Sequence, residues 1–208
     1  MPFKKGPEEK TTDMHSLYTR KELASSVQDP GNYYVFKQGF TDDEIRTIAR
    51  LAESMPGKTA DVGVVDETYR RSHIKWLPRS AETEFVYSKL ARYVKEANAR
   101  CWQFDLVGFG EDIQFGLYDE DDHGHYDWHL DCGSQTNWRK LSVSVQLSDP
   151  SDYDGGALEF FTSRAIRRAP AEKGTCIVFP SYFLHRVTPV TRGKRYSLVV
   201  WISGPPFR

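Results

Sequence analysis

The sequence has few of the residues that build a disulfide framework or a zinc knuckle. It contains only 3 cysteines, Cys101, Cys132 and Cys176, which are widely spaced and form no Cys-x-x-Cys pair. Disulfide frameworks need an even number of cysteines, and structural zinc sites need cysteines or histidines in paired spacings. The sequence therefore predicts reduced thiols and a cytoplasmic location.

Long hydrophobic runs and an excess of charge of one sign are also missing. No stretch approaches the roughly 20 apolar residues that a bilayer-crossing helix needs, and residues 1–10 lack the apolar segment of a signal peptide. The formal net charge is −1, so the chain has no overall field that attracts a polyanion. We expect neither a membrane nor a nucleic acid as partner, and the oligomeric state stays open.

The composition is that of a globular chain with an aromatic-rich core. Hydrophobic residues make up 39% of the 208 residues and aromatic residues 13%, which is enough bulk for one domain. Residues 1–30 have no sustained periodicity and predict a flexible N-terminal arm, with at most a short helix at 19–27. The rest divides into a helical support region, 31–106, with a leading strand at 32–36, and a β-rich core, 107–208.

Two amphipathic helices are predicted in the support region. Thr41 and Glu44 stand three residues apart in a capping-box pattern that opens a helix ending near Ser54. A second helix is predicted over 81–100, with Ser80 as its N-cap and apolar residues at helical spacing. Each helix has one apolar side, so both need a sheet to cover.

From residue 113 onward the pattern changes to short runs of alternating polarity, separated by Gly, Pro, Asp and Ser. Such runs are typical of strands. They fall at Ile113–Tyr118, Tyr126–Asp131, Lys140–Leu147, Ala157–Phe161, Thr175–Phe179 and Arg195–Ile202. Two helices followed by about seven or eight antiparallel strands is an α+β pattern, whose β part suits a sandwich or jelly roll.

Histidines cluster in the middle of this β region. On an extended strand His129 and Asp131 share one face, and His185 supplies a second imidazole from a distant strand. Two histidines and one carboxylate on one side of an ion form the facial triad of non-haem Fe(II) oxygenases. His125 and Asp127 have the same spacing, and periodicity alone does not choose between the two pairs.

An arginine begins the last predicted strand, where alternation places Arg195, Ser197 and Trp201 on one face. A buried arginine needs an anionic partner, because an unpaired buried charge is strongly unfavourable. That partner is either a protein carboxylate such as Glu159 or the distal carboxylate of a dicarboxylate cosubstrate, assisted by the Ser197 hydroxyl. Residues 140–148 alternate polar and aliphatic side chains, which predicts either a solvated polar face or a cofactor cavity.

Several segments together carry a family resemblance. They are Ile-Gln-Phe-Gly-Leu-Tyr at 113–118, Tyr-Asp-Trp-His-Leu-Asp at 126–131, the stretch 147–160 that ends in Asp-Gly-Gly-Ala-Leu-Glu-Phe, Phe-Pro at 179–180, and 185–195. These segments resemble the Fe(II)/2-oxoglutarate-dependent oxygenases, in particular the prolyl 4-hydroxylase-like group and its bacterial PKHD-type branch. The resemblance implies a double-stranded β-helix core (jelly roll, cupin-like) with the N-terminal helices packed on one sheet.

The resemblance also implies a role for individual residues. Its Tyr-x-x-His-x-Asp pattern falls on Tyr126, His129 and Asp131, so that His129, Asp131 and His185 are the expected iron ligands and catalytic centre. The pair formed by His125 and Asp127 is left outside that pattern. The other implied roles are binding of 2-oxoglutarate by Arg195, Tyr118 and Ser197, and contact with substrate by Tyr126, Arg71 and Trp201.

The activity implied by the resemblance is that of a dioxygenase that hydroxylates an unactivated C–H bond and releases succinate and CO2. Fe(II), 2-oxoglutarate and O2 are the expected cofactors and cosubstrates, with ascorbate as a reductant. The expected substrate is a prolyl residue in a protein or peptide, and the alternative is a free amino acid or small metabolite. Two other classes remain open: a zinc hydrolase using His125, His129 and His185, and a jelly-roll binding module without catalysis.

Overall fold

The computed structural model describes residues 33–59, 68–162 and 165–207. The predicted arm and its short helix lie outside these residues. Two helices are described, α1 (Asp42–Ser54) and α2 (Glu84–Cys101). The described strands are β1 (Tyr34–Phe36), β2 (Gly57–Thr59), β3 (Arg70–Arg71), β4 (His73–Leu77), β5 (Gly108–Phe109), β6 (Ile113–Asp119), β7 (His125–His129), β8 (Arg139–Gln146), β9 (Tyr153–Gly155), β10 (Leu158–Phe161), β11 (Ile166–Arg168), β12 (Cys176–Pro180), β13 (His185–Val187) and β14 (Val190–Ser203).

The described strands form two antiparallel sheets. The main sheet has nine strands, in the order β1-β12-β8-β14-β6-β4-β2, with β5 and β9 also paired to β14. The second sheet has five, in the order β11-β10-β13-β7-β3. Side chains from both sheets line one cavity between them, which is the arrangement of a jelly roll. The predicted α+β fold with a double-stranded β-helix core is confirmed.

The main hydrophobic core lies between the two helices and one face of the main sheet. Ile48 of α1 and Leu90 of α2 are fully buried there, together with Val143 and Val145 of β8. Burying an aliphatic side chain of this size contributes about 1.5–3 kcal/mol, so the apolar stripe holds each helix on the sheet. Within the described chain, neither helix combines the length and apolar composition needed to cross a bilayer.

Helix α1 begins where the sequence predicts. The Thr41 hydroxyl accepts a hydrogen bond from the Glu44 amide at 3.3 Å, and the Glu44 carboxylate accepts one from the Thr41 amide at 2.7 Å. This capping box satisfies two of the amide groups that have no partner within the helix. Glu44 also pairs with Lys89 of α2 at 2.6 Å, so the cap connects the two helices.

Removing the capping hydroxyl should weaken the fold measurably. We expect Thr41→Ala to lower the free energy of unfolding by about 1 kcal/mol, because the Glu44 amide loses its acceptor. Urea denaturation of the purified protein measures this change. Thr47→Ala is the matched control, since its hydroxyl donates to the Asp43 carbonyl and accepts from Arg50 Nη2 within the same helix, and alanine favours helix. Equal stabilities of the two variants would contradict the assignment of the cap.

The start of α2 differs from the prediction. The helix begins at Glu84 rather than at residue 81, and Ser80 is not its N-cap. The Ser80 amide donates to the Thr83 hydroxyl at 2.8 Å, and that hydroxyl donates to the Pro78 carbonyl at 2.7 Å. These bonds stabilise a turn over 81–83, so the helical hydrogen bonds start one turn later than the apolar spacing suggests.

The strand boundaries also differ from the prediction. Ten strands are described after residue 102, rather than seven or eight, because β5, β9 and β11 have only two or three residues and show no alternation. Strand β7 ends at His129 instead of reaching 131, and β14 starts at Val190 instead of 195. The support region contributes β2, β3 and β4 in addition to its leading strand. All three cysteines are free thiols, as predicted.

Candidate active site

Two histidines and an aspartate meet in the cavity between the sheets. His129 ends β7 and His185 begins β13, and the antiparallel register places them directly opposite each other. The His129 and His185 Nε2 atoms lie 3.6 and 3.5 Å from the two carboxylate oxygens of Asp131. One ligand atom from each residue falls within 4.8 Å of the others, and all three side chains are buried. The three residues thus present a compact set of nitrogen and oxygen donors.

Backbone carbonyls fix the orientation of both imidazoles. His129 Nδ1 bonds to the Asp127 carbonyl and His185 Nδ1 bonds to the Phe183 carbonyl, each at 2.7 Å. A carbonyl only accepts, so each Nδ1 carries a proton and Nε2 is the ring nitrogen that faces Asp131. This is how the second contact of a metal-binding histidine sets its tautomer.

Asp131 lies beyond the end of β7, so its position does not follow from strand alternation as predicted. Its amide donates to the Ser181 carbonyl at 2.9 Å, which turns the chain away from the sheet. Its carboxylate accepts a hydrogen bond from the Ser142 hydroxyl of β8 at 2.6 Å. The aspartate reaches the histidines because neighbouring segments hold it there.

Burial and mutual charge set the protonation states of this cluster. Burial and the neighbouring His185 lower the pKa of His129 to about 3, so its imidazole is neutral at neutral pH. Burial alone would raise the pKa of Asp131, but His185, His129 and the Ser142 hydroxyl together hold it below its usual value. Neutral imidazoles and an ionised carboxylate are the forms that bind a metal.

The second His-x-Asp pair is directed elsewhere. His125 is tied to the carbonyls of His123 and Thr68 at 2.9 and 3.0 Å, and Asp127 accepts from the Trp128 amide at 2.7 Å. Strand β7 contains a bulge, since Tyr126 pairs with Val187 whereas His129 pairs with His185. Two residues of β7, Asp127 and Trp128, therefore lie opposite the single residue Arg186 of β13, and simple alternation fails at this point.

Arg195 is the other charged group in the cavity, and its side chain is 1% exposed. Its Nη2 donates to Gln146 Oε1 at 2.9 Å, whereas Nε and Nη1 are buried without a partner among the described residues. Glu159, the alternative protein partner, is instead paired with Arg168 and Arg186. The buried guanidinium therefore has two donors available for an anion that the described residues do not supply.

The structure places most of the predicted site residues in one cavity. Its empty volume is about 460 Å³, part of it open to solvent. The predicted residues that line it are Tyr118, Tyr126, His129, Asp131, His185, Arg195, Ser197 and Trp201. Arg71 does not line it, because its Nη1 donates to the Asp122 carbonyl. Arg70, Gln114 and Ser144 also line it without having been assigned an individual role from the sequence, although Gln114 and Ser144 lie within predicted strands.

Strand β8 shows why the cavity is polar. Val143 and Val145 belong to the core under the helices, and the alternating residues face the opposite way. Ser142 bonds to Asp131, Ser144 lines the cavity and Gln146 bonds to Arg195. The sequence predicted either a cofactor cavity or a solvated surface for this polar face. The structure fits the cavity and not the solvated surface.

A larger cavity lies on the helix side of the main sheet, between α1 and β4. Its walls are mainly apolar, with Ile45, Ile74, Phe115 and Leu147 among them. The described residues around it contain no cluster of metal ligands, because the His-Asp-His group is the one such cluster in the described chain. The chemistry therefore belongs to the smaller cavity between the sheets.

The part of the chain that builds this cavity matches a known family. Residues 113–203 match the 2OG-Fe(II) oxygenase superfamily. This segment is a 2OG-Fe(II) oxygenase domain. The chain is also 39% identical over 86 residues to a PKHD-type hydroxylase of Teredinibacter turnerae, and 47% identical over 63 residues to one of Sphingopyxis alaskensis. The first match covers 38% of this chain and 38% of the relative, and the second covers 30% and 29%. The chain therefore spans well under half of the length of these relatives.

Solved structures share the fold of the oxygenase domain and its helices. A Pseudomonas putida prolyl-4-hydroxylase has a TM-score of 0.65 at 22% identity, over 83% of this chain and 92% of that one. A Trichoplax adhaerens prolyl hydroxylase, solved with a hypoxia inducible factor peptide fragment, has a TM-score of 0.69 at 15% identity, over 83% of both chains. At these identities the likeness concerns the fold.

Proposed function

We propose that this protein is a dioxygenase that uses Fe(II), 2-oxoglutarate and O2 to hydroxylate an unactivated C–H bond. The observation that carries this proposal is Arg195, a buried guanidinium with two unpaired donors in the same cavity as the His-Asp-His cluster. A structural arginine would have a carboxylate partner, as Arg186 has in Glu159. A dicarboxylate that reaches from the cluster to Arg195 supplies the missing anion.

The residues of the cavity fit this cofactor and cosubstrate. His129, Asp131 and His185 form the two-histidine, one-carboxylate set that suits Fe(II) and leaves metal positions open. When bound, iron and 2-oxoglutarate supply the oxidising chemistry with O2, and ascorbate serves as external reductant. Arg195 fixes the far carboxylate, with Gln146 holding its guanidinium in place. The protein itself orients the reactants and excludes water from the cavity.

We propose a prolyl residue of a protein or peptide as substrate, with succinate and CO2 as coproducts. The prolyl hydroxylases of similar fold support this choice, one of them having been solved with a peptide. Tyr126 and Trp201 line the cavity where such a residue would enter. We further propose a cytoplasmic location and the division into an arm at 1–30, a support region at 31–106 and a catalytic core at 107–208.

Two measurements test the proposed activity. Anaerobic addition of Fe(II) and 2-oxoglutarate should give a weak visible charge-transfer band, which a zinc hydrolase or a binding module would not give. Succinate release should then rise above the background when proline-containing peptides, free amino acids or lysate are added with air. Absence of both the band and any succinate would reject the oxygenase. The zinc alternative is also weakened by His125, which bonds to two carbonyls outside the cluster.

A further inference from the structure

A second arginine lies in the wall of the same cavity. Arg70 of β3 lines it together with the His-Asp-His cluster. Its Nε donates to the Ser72 hydroxyl at 2.9 Å and its Nη2 donates to Gln114 Oε1 at 2.8 Å. Its guanidinium lies 4.5 Å from the centre of the Tyr126 ring. Every one of these contacts is with a neutral group.

Two arginines that flank the site have carboxylate partners. Arg139 pairs with Glu111 and Arg186 pairs with Glu159. Among the residues that the structure describes, Arg70 forms no ion pair with a carboxylate, although it is half-buried. Two neutral acceptors fix the plane of the guanidinium and leave its positive charge uncompensated.

The charge balance of the loaded cavity points to an anion at Arg70. Apart from the two histidines, the residues with a formal charge that line the cavity are Arg70, Asp131 and Arg195. Fe(II) and the 2-oxoglutarate dianion cancel, and Asp131 offsets the charge of Arg195. One positive charge remains, and it belongs to Arg70. In a cavity of low dielectric constant this charge favours an anionic substrate.

The geometry places this charge next to the reacting centre. The Tyr126 ring stacks on the His129 imidazole with 3.5 Å between centroids, and Arg70 lies over the same tyrosine. A single aromatic ring therefore separates the guanidinium from a proposed iron ligand. These two distances place the guanidinium at most about 8 Å from the centre of the His129 ring, so a carboxylate held by Arg70 would lie near the proposed metal site.

We propose that Arg70 binds a carboxylate of the substrate, so that the hydroxylated residue is a free amino acid or the C-terminal residue of a peptide, proline included. This inference rests on the proposed function and narrows its substrate. Arg70 is a binding residue in this assignment. If it only positioned Tyr126, its loss would affect charged and uncharged substrates alike.

The test compares each amino acid as the free acid and as the carboxamide, which removes the charge and keeps the shape. The probes are the amino acids and glycyl-proline, and their binding to protein loaded with Zn(II) and 2-oxoglutarate is measured by NMR titration. For the wild type we expect at least one acid to bind about tenfold or more tightly than its amide, as a charge-assisted pair gives. In Arg70→Gln the ratio should fall to near one, and Arg70→Lys should keep part of it.

Arg192→Gln is the matched control, since it removes the same charge from an exposed ion pair with Asp154. It should leave the acid-to-amide ratio unchanged. The proposal is overturned if no acid binds, if acid and amide bind equally to the wild type, or if Arg70→Gln weakens both forms by the same factor. The comparison measures binding, so it decides on Arg70 even where no succinate is formed. If the wild-type protein does not bind 2-oxoglutarate, that result would instead count against the proposed function.

Discussion

Replacing Arg195 by leucine is expected to abolish 2-oxoglutarate binding without lowering the stability of the ligand-free protein. The side chain is 1% exposed, and two of its nitrogens have no partner among the described residues. A lone buried charge is unfavourable, so its removal costs the ligand-free fold little. Breaking a buried charge pair costs about 3–5 kcal/mol, which raises the Kd at least about 100-fold.

Calorimetric titration of 2-oxoglutarate into the Zn(II)-loaded protein measures the affinity, and urea denaturation measures the stability. Arg192→Leu is the control, because this arginine lies on the same strand but is 54% exposed and already paired with Asp154. Arg195→Lys keeps the charge and should retain part of the affinity. Unchanged 2-oxoglutarate binding by Arg195→Leu, or a large loss of its stability, would show that the arginine serves the fold instead.

Replacing Asp131 by alanine should remove both iron binding and turnover. Asp131 supplies the only carboxylate of the described cluster and lies between the two Nε2 atoms. Ser142→Ala removes only the hydroxyl that orients this carboxylate, and second-sphere changes of that kind cost about 10–100-fold in metal affinity or activity. We therefore expect both iron affinity and turnover to fall from the wild type to Ser142→Ala and again to Asp131→Ala. Turnover of Asp131→Ala should lie below detection.

The neighbouring His-x-Asp pair supplies the control for this series. Asp127→Ala removes a carboxylate two residues from His129 that only accepts from the Trp128 amide. It should leave iron binding and succinate release close to wild type. Succinate formation by Asp131→Ala at the wild-type rate, or equal losses in the two aspartate variants, would contradict the assignment of the ligands.

The overall fold and one helix cap could be predicted from the sequence, whereas the exact start of α2 and the shortest strands could not. The capping box of α1 involves Thr41 and Glu44, three residues apart, so the sequence contains the whole interaction. The start of α2 depends on Pro78, Ser80 and Thr83, whose hydrogen bonds form a turn where apolar spacing alone predicts helix. Short strands such as β5 exist only because β14 lies beside them.

The site shows the same division. Strand alternation places both His125 and Asp127 on the face of His129, and only the bulge in β7 separates them. No sequence pattern marks a bulge that arises from pairing with β13. The uncompensated charge of Arg70 was missed for a related reason, because it depends on which carboxylates are absent after folding. From the sequence, the neighbouring Arg71 is an equally good candidate for the cavity wall, but in the structure its Nη1 donates to the Asp122 carbonyl.

The cavity draws its charged groups from two different sheets. His129 and His185 belong to the five-stranded sheet, and Arg195 belongs to the main sheet. Under the proposed function, one 2-oxoglutarate molecule is anchored at both ends, so it acts as a cross-link between the layers of the sandwich. Separating the layers would then require breaking the metal ligation or the arginine pair, and the cosubstrate becomes a structural element as well as a reagent.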